Sequence, residues 1–147
     1  MKYFLAVCLV FFSACSIKNY THTAAKILIL KTPKIKFSDI AYIRNSDDAI
    51  ELELFVAGKA VQQFHINHLV CVDDSGCMQK STFNREYLNQ SYPDDLLQNI
   101  LLGKKIYNGK NLQKNANDFV QQINTQSIYF KDRKNHILIK IKELNNG

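Results

Sequence analysis

Between Ile50 and Val72 apolar and polar residues alternate, and a period of two is the signature of a strand with one wet face. Ile50, Leu52, Leu54 and Val56 point one way, Glu51, Glu53 and Phe55 the other. Ala57-Gly58-Lys59 reads as a hairpin loop in which Gly58 supplies a positive φ. The return strand sets Phe64, Ile66, Val70 and Val72 against His65, Asn67, Leu69 and Cys71, and residues 77–80 form a shorter strand after it. Strands joined by turns this short form an antiparallel meander, because parallel crossovers need far longer connections.

The flanks extend this pattern. Ile27-Leu28-Ile29-Leu30 predicts a strand buried on both faces. After Pro33, Ile35 and Phe37 alternate with Lys34 and Lys36, Tyr42-Ile43 stays extended, and Asn45-Ser46-Asp47-Asp48 is a turn cluster. Phe83, Tyr87 and Leu88 predict one or two helical turns after Thr82. A stronger helix is expected over residues 93–102. Pro93 suits its first position, Asp94 and Asp95 its positive end, and Leu96, Leu97, Ile100 and Leu101 form a stripe that Gly103 ends. Ala116, Phe119, Val120 and Ile123 give a weaker helical stripe, with residues 119–123 also readable as extended. Residues 128–130 and 137–141 are strands around the turn Asp132-Arg133-Lys134-Asn135, and the chain end after Leu144 is expected to fray. The expected fold is α+β: an antiparallel meander forming a curved sheet or half-barrel covered by short helices, in a single domain over residues 26–147.

The N-terminus constrains location. Lys2 precedes an unbroken apolar run over residues 4–12, closed by Ser13-Ala14-Cys15. A basic start, a short apolar stretch and small residues describe an export signal. The run is shorter than the roughly 20 apolar residues of a spanning helix; a buried N-terminal helix is the alternative. Residues 1–14 read as a leader, and residues 15–25 as an acylated Cys15 followed by a polar tether. Phe12-Ser13-Ala14-Cys15 resembles the lipobox of bacterial lipoproteins, with Phe12 where Leu is usual.

The 147 residues carry a formal charge of +6, and the leader holds only Lys2 of it. A basic balance can address nucleic acid, anionic lipid or lipopolysaccharide phosphate. Export argues against intracellular nucleic acid, and the interspersed acids favour a solvated surface. Cys71 and Cys77 flank a polar turn in a chain expected to meet an oxidising compartment, so a disulfide is predicted, two free thiols being the alternative. His65 and His68 are three apart on a strand and point to opposite faces, which argues against chelation. No phosphate loop, dinucleotide fingerprint, calcium loop or nucleophile elbow is present in the sequence. No enzyme, metal or cofactor is expected.

Several features together resemble the LolA/LolB-like group of lipoprotein carriers and outer-membrane acceptors. They are the lipobox ending at Cys15, the meander over residues 35–80, the Tyr92-Pro93-Asp94-Asp95-Leu96-Leu97-Gln98-Asn99-Ile100-Leu101-Leu102-Gly103 segment, and the closing hairpin over residues 132–144. The mature chain is shorter than such acceptors, and the Asp73-Asp74-Ser75-Gly76 turn is polar where they carry an exposed apolar tip. The resemblance implies a lipid-anchored protein at the outer membrane, facing the periplasm, that binds acyl chains and helps place lipoproteins or lipids. Leu52, Leu54, Phe64, Ile66, Leu97, Ile100 and Ile139 are the expected apolar lining, with ordinary packed core as the alternative. The competing function is an interaction lipoprotein that braces an envelope protein assembly without a cavity.

Overall fold

The computed structural model describes residues 19–109 and 119–144. The expected leader over residues 1–14, the lipidation site Cys15, the start of the tether, Ala116 and residues 145–147 lie outside the described residues. Nine described strands form one antiparallel sheet with two short helices, so the chain is mostly β and the helices are minor.

Six strands make the first meander: β1 (His22–Lys31), β2 (Lys36–Asn45), β3 (Ile50–Val56), β4 (Lys59–Ile66), β5 (Leu69–Val72) and β6 (Gly76–Gln79). The helices α1 (Lys80–Tyr87) and α2 (Leu96–Leu101) follow, and then β7 (Phe119–Ile123), β8 (Ser127–Asp132) and β9 (Ile137–Glu143). The spatial order is β6-β5-β4-β3-β2-β1-β9-β8-β7. Adjacent strands are consecutive in the chain everywhere except at the β1–β9 seam, where Leu28 faces Ile141 and Leu30 faces Ile139 across the ladder.

One face of the sheet is covered by the helices. Ile50, Leu52, Leu54, Phe64, Ile66, Ile137, Ile139 and Ile141 are all buried there, as the alternation requires. The β3–β4 turn places Ala57 and Gly58 at φ 50° and 78°. Cys71 and Cys77 are direct partners across β5 and β6, with their sulfurs at disulfide distance, 1.99 Å, on the face away from the helices.

Several elements differ from the sequence reading. Residues 22–25 belong to β1, so ordered structure begins before the expected domain start, and Thr21 is already hydrogen-bonded to Asn45. β1 is not buried on both faces: Leu28 and Leu30 are enclosed on the helix-covered side, while Ile27 on the other side remains 37% exposed. The single return strand is two strands, reversed where the Asn67 side-chain oxygen accepts from the Leu69 N–H. Only Leu96–Leu101 of the expected ten-residue helix is helical. Its N-terminal part is a turn, with the Leu96 N–H donating to the Pro93 carbonyl. Phe119–Ile123 is a strand, because pairing with β8 outweighs its weak helical period.

Buried polar groups pin the helical segment to the sheet. The Asn84 amide donates to the carbonyls of Tyr92 and Pro93. The Tyr92 hydroxyl donates to Asp132, whose carboxylate also accepts from the Asn135 backbone and side chain at 3.0 and 2.7 Å. Gln121, fully buried, accepts from the Ile106 N–H and donates to the Lys104 carbonyl. Burial alone would raise the Asp132 pKa, but the hydrogen bonds from Tyr92 and Asn135 hold it below the usual carboxylate range. Burial, with Asp132 as partner, pushes Tyr92 well above its ordinary value.

A depressed folded pKa means that Asp132 contributes stability above its unfolded value, and that this share is lost as pH falls through the folded one. Thermal unfolding of Asp132→Asn should therefore fall less steeply than wild type below about pH 4. At neutral pH the variant should be less stable by about 1–3 kcal/mol, the scale of a charge-assisted buried hydrogen bond. Identical acid slopes in the two proteins would contradict this assignment.

Candidate functional site

The seven residues expected to line an acyl cavity do converge. Leu52 and Leu54 on β3, Phe64 and Ile66 on β4, Ile139 on β9, and Leu97 and Ile100 on α2 all belong to one buried cluster. They converge on very little space. The void among Leu52, Phe64, Leu97, Ile139 and their neighbours is about 10 Å³, room for one water at most and not for an alkyl chain. Phe83 closes this region edge-on against Phe64, and Tyr87 stacks on Phe83.

Open space lies instead at one end of the same covered face, in a cleft of about 500 Å³. Its cause is visible in β1. The covered-face positions run Leu30, Leu28, Lys26, Ala24, His22, so bulky side chains give way to a small one and polar ones just where α2 ends. The helix is closed by the Gly103 N–H on the Ile100 carbonyl and the Lys104 N–H on the Asn99 carbonyl, a Schellman arrangement. Gly103 has φ +66°, and a Cβ there would sit 3.2 Å from the Ile128 side chain. Glycine therefore ends the helix and lets it approach β8, and no third turn extends over the cleft.

The floor of the cleft is apolar, formed by Ile43, Leu101, Ile128 and Ile141, with Ile123 at the side. Its rim is polar, made by His22, Asn45 and the β7–β8 turn around Asn124. Asn124 organises that turn, its side-chain oxygen accepting from the N–H groups of Gln126 and Ser127 at 2.9 and 2.7 Å. Lys26 and Glu143, register partners on β1 and β9, form an ion pair at the mouth. Such a cleft can hold an alkyl segment on its floor and a polar group at its rim; its described titratable side chains are His22, Lys26 and Glu143.

Elsewhere the other candidates separate. His65 lies within β4 opposite Cys71, and His68 is in the following turn. No described group of three or more His, Cys, Asp or Glu residues is placed to hold a metal ion. On the uncovered face, Arg44 bridges Glu51 and Glu53 at 2.7 and 2.9 Å, and the Tyr20 hydroxyl donates to Glu51. Burial and the neighbouring Glu51 push Tyr20 up to about 12. Burial works against the Glu51 charge, but Tyr20 and the Arg44 guanidinium outweigh it and lower its pKa. No family model, curated protein or solved structure matches the chain.

The cleft was missed in the sequence because residues 16–25 look aperiodic. Their covered-face set becomes visible only once β1 is extended back from Leu30. The packed centre and the open end give opposite expectations for a buried charge. Ile100→Glu should cost on the order of 3 kcal/mol or more and unfold the domain. Ile123→Glu, at the exposed cleft edge, should cost less than about 1 kcal/mol. Urea titration followed by circular dichroism checks both.

Proposed function

We propose that the chain is a lipid-anchored, non-enzymatic lipoprotein of the bacterial envelope that takes up an acyl chain and assists lipoprotein or lipid placement at the outer membrane. In this reading the sheet acts as a half-barrel whose centre is filled and whose open end receives the ligand. The supporting observation is the cleft of about 500 Å³ with its apolar floor and polar rim. That volume is within the range of about 300–1,000 Å³ usual for small-molecule sites. Each methylene taken from water contributes about 0.8 kcal/mol, so even part of an acyl chain offsets the cost of association. The anchor and the address rest on the lipobox-like Phe12-Ser13-Ala14-Cys15 and on the resemblance to the LolA/LolB-like group.

A second reading is favoured by the void of only about 10 Å³ at the centre. It is an interaction lipoprotein that braces an envelope complex through its sheet edge and basic surface. Mass spectrometry of the full protein extracted from membranes separates the two. The acyl-binding reading predicts fatty acid on Cys15, lost in Cys15→Ser, and a co-purifying lipid depleted by Ile128→Glu while the domain stays folded. Wild-type protein free of lipid but held by a stable protein partner would overturn it in favour of the second reading.

A further inference from the structure

The cationic residues look dispersed in the sequence, but the β1–β9 seam gathers them. Across β2, β1, β9 and β8, one rung of the ladder reads Lys36, Lys31, Leu138, Lys131. The next rung on the same face reads Ser38, Ile29, Lys140, Tyr129, and the one after it Ile40, Ile27, Lys142, Ser127. Neighbouring strands are about 4.8 Å apart, so these side chains form one continuous surface on the face the helices leave uncovered. No acidic residue occurs in these three rungs. The acids of this face lie on β3, where Arg44 already engages Glu51 and Glu53. Asp132 ends β8 but is turned onto the covered side toward Tyr92 and Asn135.

None of these lysines takes part in a salt bridge among the described residues; Lys140 lies over the Tyr129 ring at 5.9 Å. The apolar members are accessible as well, Ile27 at 37% and Ile40 at 38%. Lysines outside the described salt bridges, interleaved with exposed isoleucines, match the two layers of a phospholipid surface, phosphate outside and acyl boundary beneath. Nucleic acid favours arginine and aromatic stacking, whereas these three rungs hold no arginine and a single aromatic, Tyr129, already beneath Lys140. We propose that the uncovered face of β2, β1, β9 and β8 docks on an anionic phospholipid surface. The proposal uses neither the cleft nor the lipid anchor.

The test is co-sedimentation of the full-length chain with vesicles of phosphatidylglycerol and phosphatidylcholine, against phosphatidylcholine alone. Wild type and Lys31→Glu/Lys131→Glu/Lys142→Glu share the same N-terminus, so their difference isolates the face. Binding to anionic vesicles should fall by more than about tenfold in the triple variant. The difference should vanish on neutral vesicles and on raising salt to about 0.5 M. A control with the same charge change elsewhere, Lys59→Glu/Lys104→Glu/Lys105→Glu, should retain most of the binding. Folding is monitored by circular dichroism, and the salt dependence of wild-type binding provides a readout independent of the variants. The proposal fails if the triple variant binds like wild type, or if the control loses as much. It also fails if wild type ignores anionic vesicles while binding single-stranded nucleic acid, or while forming a dimer that the triple variant disrupts.

Discussion

The pairing of β1 with β9 is the contact on which the other features depend. Each meander can form from local turns, but only this seam places Leu28 and Leu30 beside Ile141 and Ile139 and makes one continuous covered face. Closing it requires strands from opposite ends of the chain to meet, an entropic cost that local hairpins avoid. The apolar burial along the seam offsets that cost. The same register sets Lys26 against Glu143 at the cleft mouth and aligns Lys31 with Lys131 through Leu138 on the opposite face.

The helical segment is held over this sheet by specific polar contacts as well as apolar packing. Asn84, the Tyr92–Asp132–Asn135 set and Gln121 each tie irregular backbone or a neighbouring strand to the cover. Buried polar groups of this kind are costly unless satisfied, so they fix the position of the cover more narrowly than apolar contact would. The cover stops where Gly103 stops it. The centre is therefore packed to a void of about 10 Å³ and the end stays open, a division of one face into core and cleft.

Much of this architecture was legible from local pattern. The alternation at Ile50–Val56 marks that strand and its buried side, residues 137–141 read as a strand within the observed Ile137–Glu143, and the five residues between Cys71 and Cys77 point to a cross-hairpin pair. What was not legible is non-local. Nothing in residues 22–31 announces β9 as a partner, and the weak stripe at Phe119–Ile123 fits a helix until β8 is beside it. The seven expected lining residues are all buried in one cluster, but a sequence pattern marks which side chains turn inward and not how much space they leave. The gathering of lysines was hidden for the same reason: their neighbours are set by register, not by order.

With the centre packed and the end open, any ligand of the covered face sits at its open end and not in its centre. Isoleucine-methyl NMR of the folded protein during titration with a medium-chain fatty acid tests it directly, because isoleucines line both places. Shifts concentrated at Ile43, Ile123, Ile128 and Ile141, with Ile66, Ile100 and Ile139 unmoved, are the predicted result. Shifts at Ile66, Ile100 and Ile139 would show that the centre opens to admit the chain and would contradict the claim.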